Sequence, residues 1–361
     1  MGSQTGAGMH KTQRIATYLA LALSVIATIV ALAAYFHTPS VVYKNTTRIV
    51  YSNSSGASLH GYNITGALLV PATSLPDAPV ITENQTFGKR LTNINAPFNA
   101  TELAVINNAP NAYFETAGNM LLNGSIKNQV GAQPNKVPPF IVNGKPSVIY
   151  LGSITCVFCG ENRWAMALAL SRFGSFSQLY HGYSSFGDYD LPTIYWAPAH
   201  YNSSSMVFGS FYNSSVINFI ALEDSNPITQ GFSLNPISTM QKRVNATGNA
   251  VYTDAFSFII QLSNYTKTAF SGTPYTIWGD YQIGGADAVD FGNTTPSSGT
   301  LPLTYMTHRQ VLSQFANPND QFAWSEYAGA DLYVAMICSS INNSSQVCSL
   351  PAIQQLEKLG Y

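Results

Sequence analysis

The sequence predicts an α/β domain tethered to a membrane by one N-terminal helix. Three observations carry that expectation. Residues 15–36 form an apolar run with no charged side chain. Residues 147–151 read S-V-I-Y-L, a short apolar stretch suited to a buried strand, and Cys156-Val157-Phe158-Cys159 follows it at the start of a helical pattern. Beyond that point, strand-like and helix-like segments alternate almost to the C-terminus.

The chain has 361 residues and 46% hydrophobic content, enough for one large core or two modest ones. Charged residues supply only 9%, against about 25% in ordinary soluble domains. The net charge of -1 offers neither a basic surface for nucleic acid nor an acidic tail for a basic partner. Low charge does not mean disorder here, because 19 Phe, 21 Tyr and 4 Trp provide ample surface to bury. Asn, Ser and Thr take the place of charge, with 29 Asn and 66 Ser plus Thr. Asn-x-Ser/Thr triplets begin at Asn45, Asn53, Asn63, Asn84, Asn99, Asn123, Asn202, Asn213, Asn245, Asn264, Asn293, Asn342 and Asn343. Chance at these compositions gives about five, so the excess points to an N-glycosylated surface. The alternative is a polar composition that carries no sugar.

The elements follow in order. Residues 1–14 are expected on the cytoplasmic side. At 1.5 Å per residue, 15–36 spans about 30 Å, the thickness of a bilayer's hydrocarbon core. Lys11 and Arg14 lie just before it and Lys44 and Arg48 further after it, so the positive-inside tendency places the bulk of the chain outside. A cleaved signal peptide ending near Ala31-Leu32-Ala33 is the alternative, although the run exceeds the usual 7–15-residue apolar core, roughly, of such peptides. Both readings put the later residues where a disulfide persists. Residues 37–97 read as a Ser/Thr/Asn-rich stalk with a short strand near 67–70, and 98–361 as the folded domain. A helix is expected near 111–117, loop over 124–146, a strand over 147–151 and a turn over 152–155. The helix after the cysteines is apolar at Trp164, Leu168 and Phe173, with Gly174 placed as a C-terminal cap. Strands are expected over 179–183 and 217–222, with a hairpin between 195 and 212. Residues 236–268 suggest two helical pieces, of which 256–262 also fits a strand. Two strands meet at Gly279-Asp280, and helices over 307–315 and 324–340 close the chain. No internal repeat and no Gly-rich phosphate loop is visible.

Two cysteines three apart at a helix start place both sulfurs on the first turn. Unpaired backbone N–H groups and the helix dipole favour an anion there. The pKa of the first thiol then falls from about 8.5 into a range of roughly 3.5 to 7.5. Cys156 is thus the expected exposed nucleophile and Cys159, one turn deeper, the thiol that resolves a mixed disulfide. Val157 and Phe158 between them are candidate substrate contacts, and Glu161 stands close enough to oppose a thiolate. A structural disulfide and a zinc site are the rival readings. The latter needs two further ligands, and Cys338 and Cys348 have nine residues between them rather than two to four. A Cys338–Cys348 bridge would close a short loop as a structural disulfide, with a second redox pair as the rival. No Met or His cluster favours copper, and His181 and His200 read as ordinary polar residues. Pro274 follows Thr273 at a strand start, where an X-Pro bond is either an ordinary trans bond or a cis one.

The stretch V-I-Y-L-G-x-x-x-C-x-x-C-x-x-x-R-W-A-x-x-x-A-L-S-R-F-G, residues 148–174, resembles a thioredoxin-like family of archaea and actinobacteria catalogued as domain of unknown function 929. The likeness takes in Asn143-Gly144-Lys145-Pro146, residues 217–223, Thr273-Pro274 and the helix bearing Cys338, and covers roughly 105–350. It implies a thioredoxin-like α/β fold with a large insertion between the C-x-x-C helix and the strand of a cis-Pro, a gap of 115 residues from Cys159 to Pro274. It resembles in layout the bacterial periplasmic disulfide oxidase. By that resemblance Cys156 and Cys159 are the redox pair and Pro274 the cis-proline, with Thr273 presenting backbone to an extended substrate. Family members often carry proline after the first cysteine, whereas this chain has Val157, which leaves the redox poise open.

The expectation is therefore a membrane-anchored, extracytoplasmic thiol–disulfide oxidoreductase. It would act on exported cysteine-containing proteins, need no cofactor, and exchange electrons with a membrane or soluble partner. The alternative is a non-enzymatic, glycosylated surface protein that uses the same scaffold for binding or envelope structure.

Overall fold

The computed structural model describes residues 45–52, 58–67, 69, 94–126, 135–185, 191–199, 205–225, 236–266, 275–279, 281–284, 306–319 and 321–361. All of them belong to one unit, Tyr43–Tyr361. The expected anchor at 15–36, with the residues before it, lies outside the described residues. Among the described residues no helix is long and apolar enough to cross a membrane.

The architecture is mixed α/β, built on a nine-stranded mixed sheet among the described residues. It opens with an antiparallel pair, β1 (Asn45–Ser52) and β2 (Ser58–Thr65). Helices α1 (Ala100–Asn107) and α2 (Asn111–Leu122) follow. A capping box starts α1: the Asn99 side chain accepts from the N–H groups of Thr101 and Glu102, and the Glu102 carboxylate accepts from Asn99 N–H. Then come the short strands β3 (Asn135–Lys136) and β4 (Phe140–Val142), where a loop is expected. β2 runs parallel to β4, so part of the stretch expected as a stalk is a strand of the main sheet. Only Tyr62 and Ile64 mark it in sequence; they alternate inward with period two, and Tyr62 packs against Phe140 and Phe258.

Asn143 (φ 52°) and Gly144 (φ 75°) turn the chain from β4 into β5 (Lys145–Ser153), since two successive positive φ values suit the twist of a tight hairpin. β5 leads into α3 (Val157–Leu170), which carries the cysteines. β6 (Ser175–Gln178), β7 (Tyr180–Tyr183), β8 (Pro192–Tyr195), β9 (Ser205–Phe208) and β10 (Phe211–Asn213) intervene before β11 (Asn218–Ser225). The hairpin expected in 195–212 does not form: β9 pairs with β11 and β10 with β6, while β7 pairs with β8. Gly174 is not a left-handed cap. Ser171 ends α3, and a Cβ on Gly174 would stand 2.3 Å from the Asn213 carbonyl oxygen, so the glycine lets β10 approach.

Helices α4 (Ile237–Ala246) and α5 (Ala250–Thr266) come next. Residues 256–262 are helical because Tyr252, Ala255, Phe256, Ile259 and Leu262 are buried at helical spacing. β12 (Tyr275–Trp278) and β13 (Tyr281–Gly284) pair antiparallel on either side of Gly279, which has φ 64°. α6 (His308–Ala316), α7 (Gln321–Ser340) and α8 (Pro351–Lys358) complete the chain. Cys338 and Cys348 form a disulfide that joins the end of α7 to the single turn before α8.

β5 is the axis of this arrangement. β11 runs parallel along it, and β12 runs antiparallel beside residues 148–151. Val148 and Tyr150 of β5, with Phe219 and Ala221 of β11, enter one core with α3 and α7. Ile149, Leu151, Ile220 and Leu222 enter a second core with α4 and α5. Cover on both faces is why β5 reads as a continuous apolar run rather than an alternating one.

Candidate functional site

The period-two alternation that sorts the cores also builds the site. Tyr150 and Gly152 share the α3 face of β5, and the register sets Glu223 of β11 opposite Gly152. The Tyr150 ring lies across Gly152 so closely that a Cβ there would sit 2.1 Å from the phenolic oxygen. Glycine at this position lets the Tyr150 hydroxyl point towards the start of α3.

Cys156 is the N-cap of α3, in extended conformation (φ -76°, ψ 131°), and its Sγ accepts from the Cys159 N–H at 3.5 Å. The sulfur occupies the place that a Ser or Asp oxygen takes in an ordinary cap. Cys159 lies in the first turn, where its Sγ accepts from the Ser153 N–H at 3.4 Å. Neither sulfur is part of a disulfide. The expectation of an exposed Cys156 is overturned: both cysteines are 0% exposed. The turn between β5 and α3 is pinned from two sides, by Ile154 N–H donating to the Asp224 carbonyl at 3.1 Å and Ser185 N–H donating to the Thr155 carbonyl at 2.7 Å. Of the residues at the helix start, Phe158 alone is open to solvent, at 46%, whereas Val157 is buried. Glu161 is buried as well.

Arg163 lies one turn beyond Cys159 on the same face of α3 and is wholly buried. Its Nε donates to Glu223 Oε1 at 2.9 Å, and its Nη2 donates both to that oxygen and to the Ser153 carbonyl at 2.7 Å. The guanidinium carbon stands 5.9 Å from the Tyr150 ring centre and 5.6 Å from that of Tyr195. Ser153 therefore links the cation to the thiol, since its carbonyl accepts from Arg163 and its N–H donates to Cys159. Arg163 Nη1, Glu223 Oε2 and Tyr150 Oη are buried without a hydrogen-bond partner among the described residues.

Burial pushes the Cys159 thiol up, but the Cys156 thiol, the Arg163 guanidinium, the Ser153 N–H and the Tyr150 hydroxyl together bring it below the ordinary thiol value. Two thiols joined in this way lose their first proton as a pair. Burial holds Glu223 above the usual carboxylate range despite Arg163 beside it. Tyr150 is raised far above the usual phenol value, chiefly by burial, and so remains a neutral hydroxyl. For Arg163, burial is outweighed by Glu223, Tyr150, Cys159 and Tyr195, and its charge is secured.

The remaining motif residues hold this helix in place. Trp164 Nε1 donates to the Pro192 carbonyl at 3.1 Å, and Thr193 Oγ1 donates to the Gly160 carbonyl at 2.6 Å, fixing β8 against α3. Arg172 donates to the carbonyls of Asn107 and Ala109 and so binds the end of α1. Tyr333 of α7 donates to Asn162 Oδ1.

Thr273 and Pro274 lie outside the described residues, and the register brings Tyr275 opposite Leu151. Of the candidate glycosylation sites, Asn99, Asn123, Asn213, Asn245, Asn264, Asn342 and Asn343 are exposed and Asn63 is half-buried. Asn45 lies in β1; Asn53, Asn84, Asn202 and Asn293 lie outside the described residues. Among the described residues no group of three or more His, Cys, Asp and Glu could hold a metal ion. The sequence flags Arg163 within a motif but assigns it no partner. Sixty positions separate it from Glu223, and only the β5–β11 register brings the two together.

The model of the family described as Domain of unknown function (DUF929) matches residues 136–339, which include the cysteine pair, Arg163, Glu223 and Cys338. The chain belongs to that family. Comparison with curated proteins and comparison with solved structures each give no match.

Proposed function

We propose that this chain is a membrane-anchored, extracytoplasmic thiol–disulfide oxidoreductase on a thioredoxin-like scaffold, exchanging disulfides with exported cysteine-containing proteins. The observation that carries the reading is a C-x-x-C pair in which the first sulfur caps a helix and the second sits on its first turn beside a buried cation. Helix-start amides and a nearby guanidinium are the ordinary means of holding a thiolate at neutral pH. The scaffold is supported by the strand order β13-β12-β5-β11, with β5 and β11 parallel on either side of α3 in sequence and an antiparallel pair on the other edge. β12 starts beside Leu151, at the end of β5 that leads to Cys156, and Thr273 and Pro274 directly precede it in the chain. The half-exposed Phe158 offers an apolar contact to a partner peptide. The apolar run at 15–36 supports the anchor, and the exposed acceptor asparagines support an extracytoplasmic, glycosylated surface.

In the reductive direction the Cys156 thiolate attacks a substrate disulfide, forming a mixed disulfide and releasing one substrate thiolate. Cys159 then attacks the Cys156 sulfur, forms the internal disulfide and releases the second. The oxidative direction runs the same bonds in reverse. Because both sulfurs are buried at rest, exchange follows local opening around Cys156. A Cys159→Ser variant should accumulate mixed disulfides through Cys156, visible as reductant-sensitive adducts. Recovery of none in the native compartment would sink the enzyme reading. The burial of both sulfurs favours one competing reading, a binding or envelope protein on the same scaffold. In that case replacing both cysteines with serine leaves the protein's function intact and thiol-exchange assays show nothing to lose.

A further inference from the structure

The element packed over the start of α3 does not belong to the main sheet. β7 and β8 pair with each other as a separate two-stranded sheet. This hairpin brackets the cysteine pair. On one side, Ser185 N–H donates to the carbonyl of Thr155, the residue before Cys156, at 2.7 Å. On the other, Thr193 Oγ1 donates to the carbonyl of Gly160, the residue after Cys159, at 2.6 Å. Gly160 puts no side chain between the two layers: an added Cβ would stand 3.2 Å from Leu191 Cδ2 and 3.5 Å from Thr193 Cβ. Ser184 N–H donates to the Leu191 carbonyl, and Leu191 N–H donates to Ser184 Oγ, which closes the hairpin at this same end. Its other end is held by different residues. Asn95 N–H donates to the His181 carbonyl at 2.8 Å, and His181 N–H donates to the Ala96 carbonyl at 2.9 Å. The Asn95 side chain bonds the N–H and the carbonyl of Ala199, just beyond β8. Between the two ends, His308 Nε2 meets the carbonyls of Gly182 on β7 and Thr193 on β8, which face each other across the hairpin. One ring on α6 therefore fastens both strands at mid-length.

We infer that the end of this hairpin formed by Ser184, Ser185 and Leu191 is a hinged cover over the C-x-x-C pair, anchored at its base by Asn95 and Ala96 and fastened by Thr193 and His308. This names the local opening that exchange requires, and it rests on the thiol–disulfide reading for its purpose. Lifting the cover parts Ser185 from Thr155 and Thr193 from Gly160 and takes Leu191 off the helix backbone. No ladder of the main sheet has to break, because β7 and β8 have none with it. Such an opening lies well below global unfolding in cost, as expected of an element that must move for a partner to enter. A partner chain then reaches Cys156 only while the hairpin is lifted.

The test follows iodoacetamide labelling of Cys156 and Cys159 in the full-length chain in detergent micelles, read by peptide mass. Below the unfolding transition the labelling rate should depend on urea far more weakly than global unfolding does, because lifting a hairpin exposes little surface. Thr193→Val keeps the shape of the side chain but loses its bond to Gly160, and should raise the labelling rate about fivefold. Gly174→Ala lowers stability at the far end of α3 and should leave the rate at its wild-type value. Three results overturn the inference: labelling with the urea slope of global unfolding, an unchanged rate in Thr193→Val, or an equal rise in Gly174→Ala. If Thr193→Val fails to fold, hydrogen exchange in the wild type decides. The amides of Ser185 and Leu191 should exchange together with that of Gly160 and ahead of those of β5 and β11, and hairpin amides as slow as those of β5 overturn the cover. Dithiobis-nitrobenzoate, a chromogenic disulfide, then separates this from the function. Alkylation that obeys the cover, with no release of coloured thiolate, defeats the thiol–disulfide reading and leaves the cover standing.

Discussion

Acid should destabilise this protein through His308, the first residue of α6. Its ring is buried, with Nε2 at 2.9 Å from the Gly182 carbonyl and 2.7 Å from that of Thr193. It stacks on His181 with ring centres 4.4 Å apart and meets Tyr183 edge-on. Burial, and then the neighbouring His181, lower its pKa from 6.5 to about 3, although the two carbonyls pull the other way. Between those values the unfolded chain binds a proton that the folded chain refuses, so stability rises with pH and falls on acidification. The slope is about 1.4 kcal/mol per pH unit. At a pH of about 4.5 the unfolded form gains roughly 2.7 kcal/mol from this one site. Denaturant midpoints at neutral pH and in this acid range measure the loss in wild type and in His308→Gln. The glutamine can still donate to both carbonyls but does not titrate, so most of the His308 share should disappear. Equal losses in the two proteins would refute the reasoning.

Three other outcomes follow from the same packing. Because Cys156 and Cys159 are fully buried, native protein should react with iodoacetamide at least about tenfold more slowly than an unfolded control, and a native rate equal to that control would contradict the burial. Replacing Cys338 and Cys348 with alanine frees a loop set by their sequence separation of 10 and should cost about 2–3 kcal/mol, read from denaturant unfolding. Gly174→Ala should cost about 1–3 kcal/mol, since a Cβ there collides with the Asn213 carbonyl; a neutral result would show that β10 yields freely.

How much of this was legible in the sequence depended on whether the signal was local. The strand before the cysteines, the helix after them, the pair of strands meeting at Gly279 and the α7 helix each carry their own periodicity, and they formed where expected. β2 was missed because two inward side chains among Ser and Asn residues do not announce a strand; pairing with β4 creates it. Gly174 was misread because a glycine at a helix end serves close approach as readily as a left-handed turn. The exposure of Cys156 was misjudged because the junction is packed into the fold by segments distant in sequence, those of Asp224 and Ser185 being hydrogen-bonded to Ile154 and Thr155. The Arg163–Glu223 pair is a product of register. One helix face and two parallel strands must be aligned before either residue has a partner.

The asparagines have a further consequence for anyone mapping sugars on this surface. Asn99 caps α1, Asn123 accepts from the Ser125 N–H at the end of α2, and Asn342 and Asn343 take φ values of 52° and 55° in the turn after α7. Asparagine suits such backbone tasks whether or not a glycan is attached. Sequon density therefore does not by itself report carbohydrate load, and an Asn→Gln survey would confuse lost glycan with a damaged turn. Removing the hydroxyl acceptor motif from the other side, with Ser344→Ala or Ser345→Ala, separates the two, because the left-handed residues keep the side chain their backbone favours.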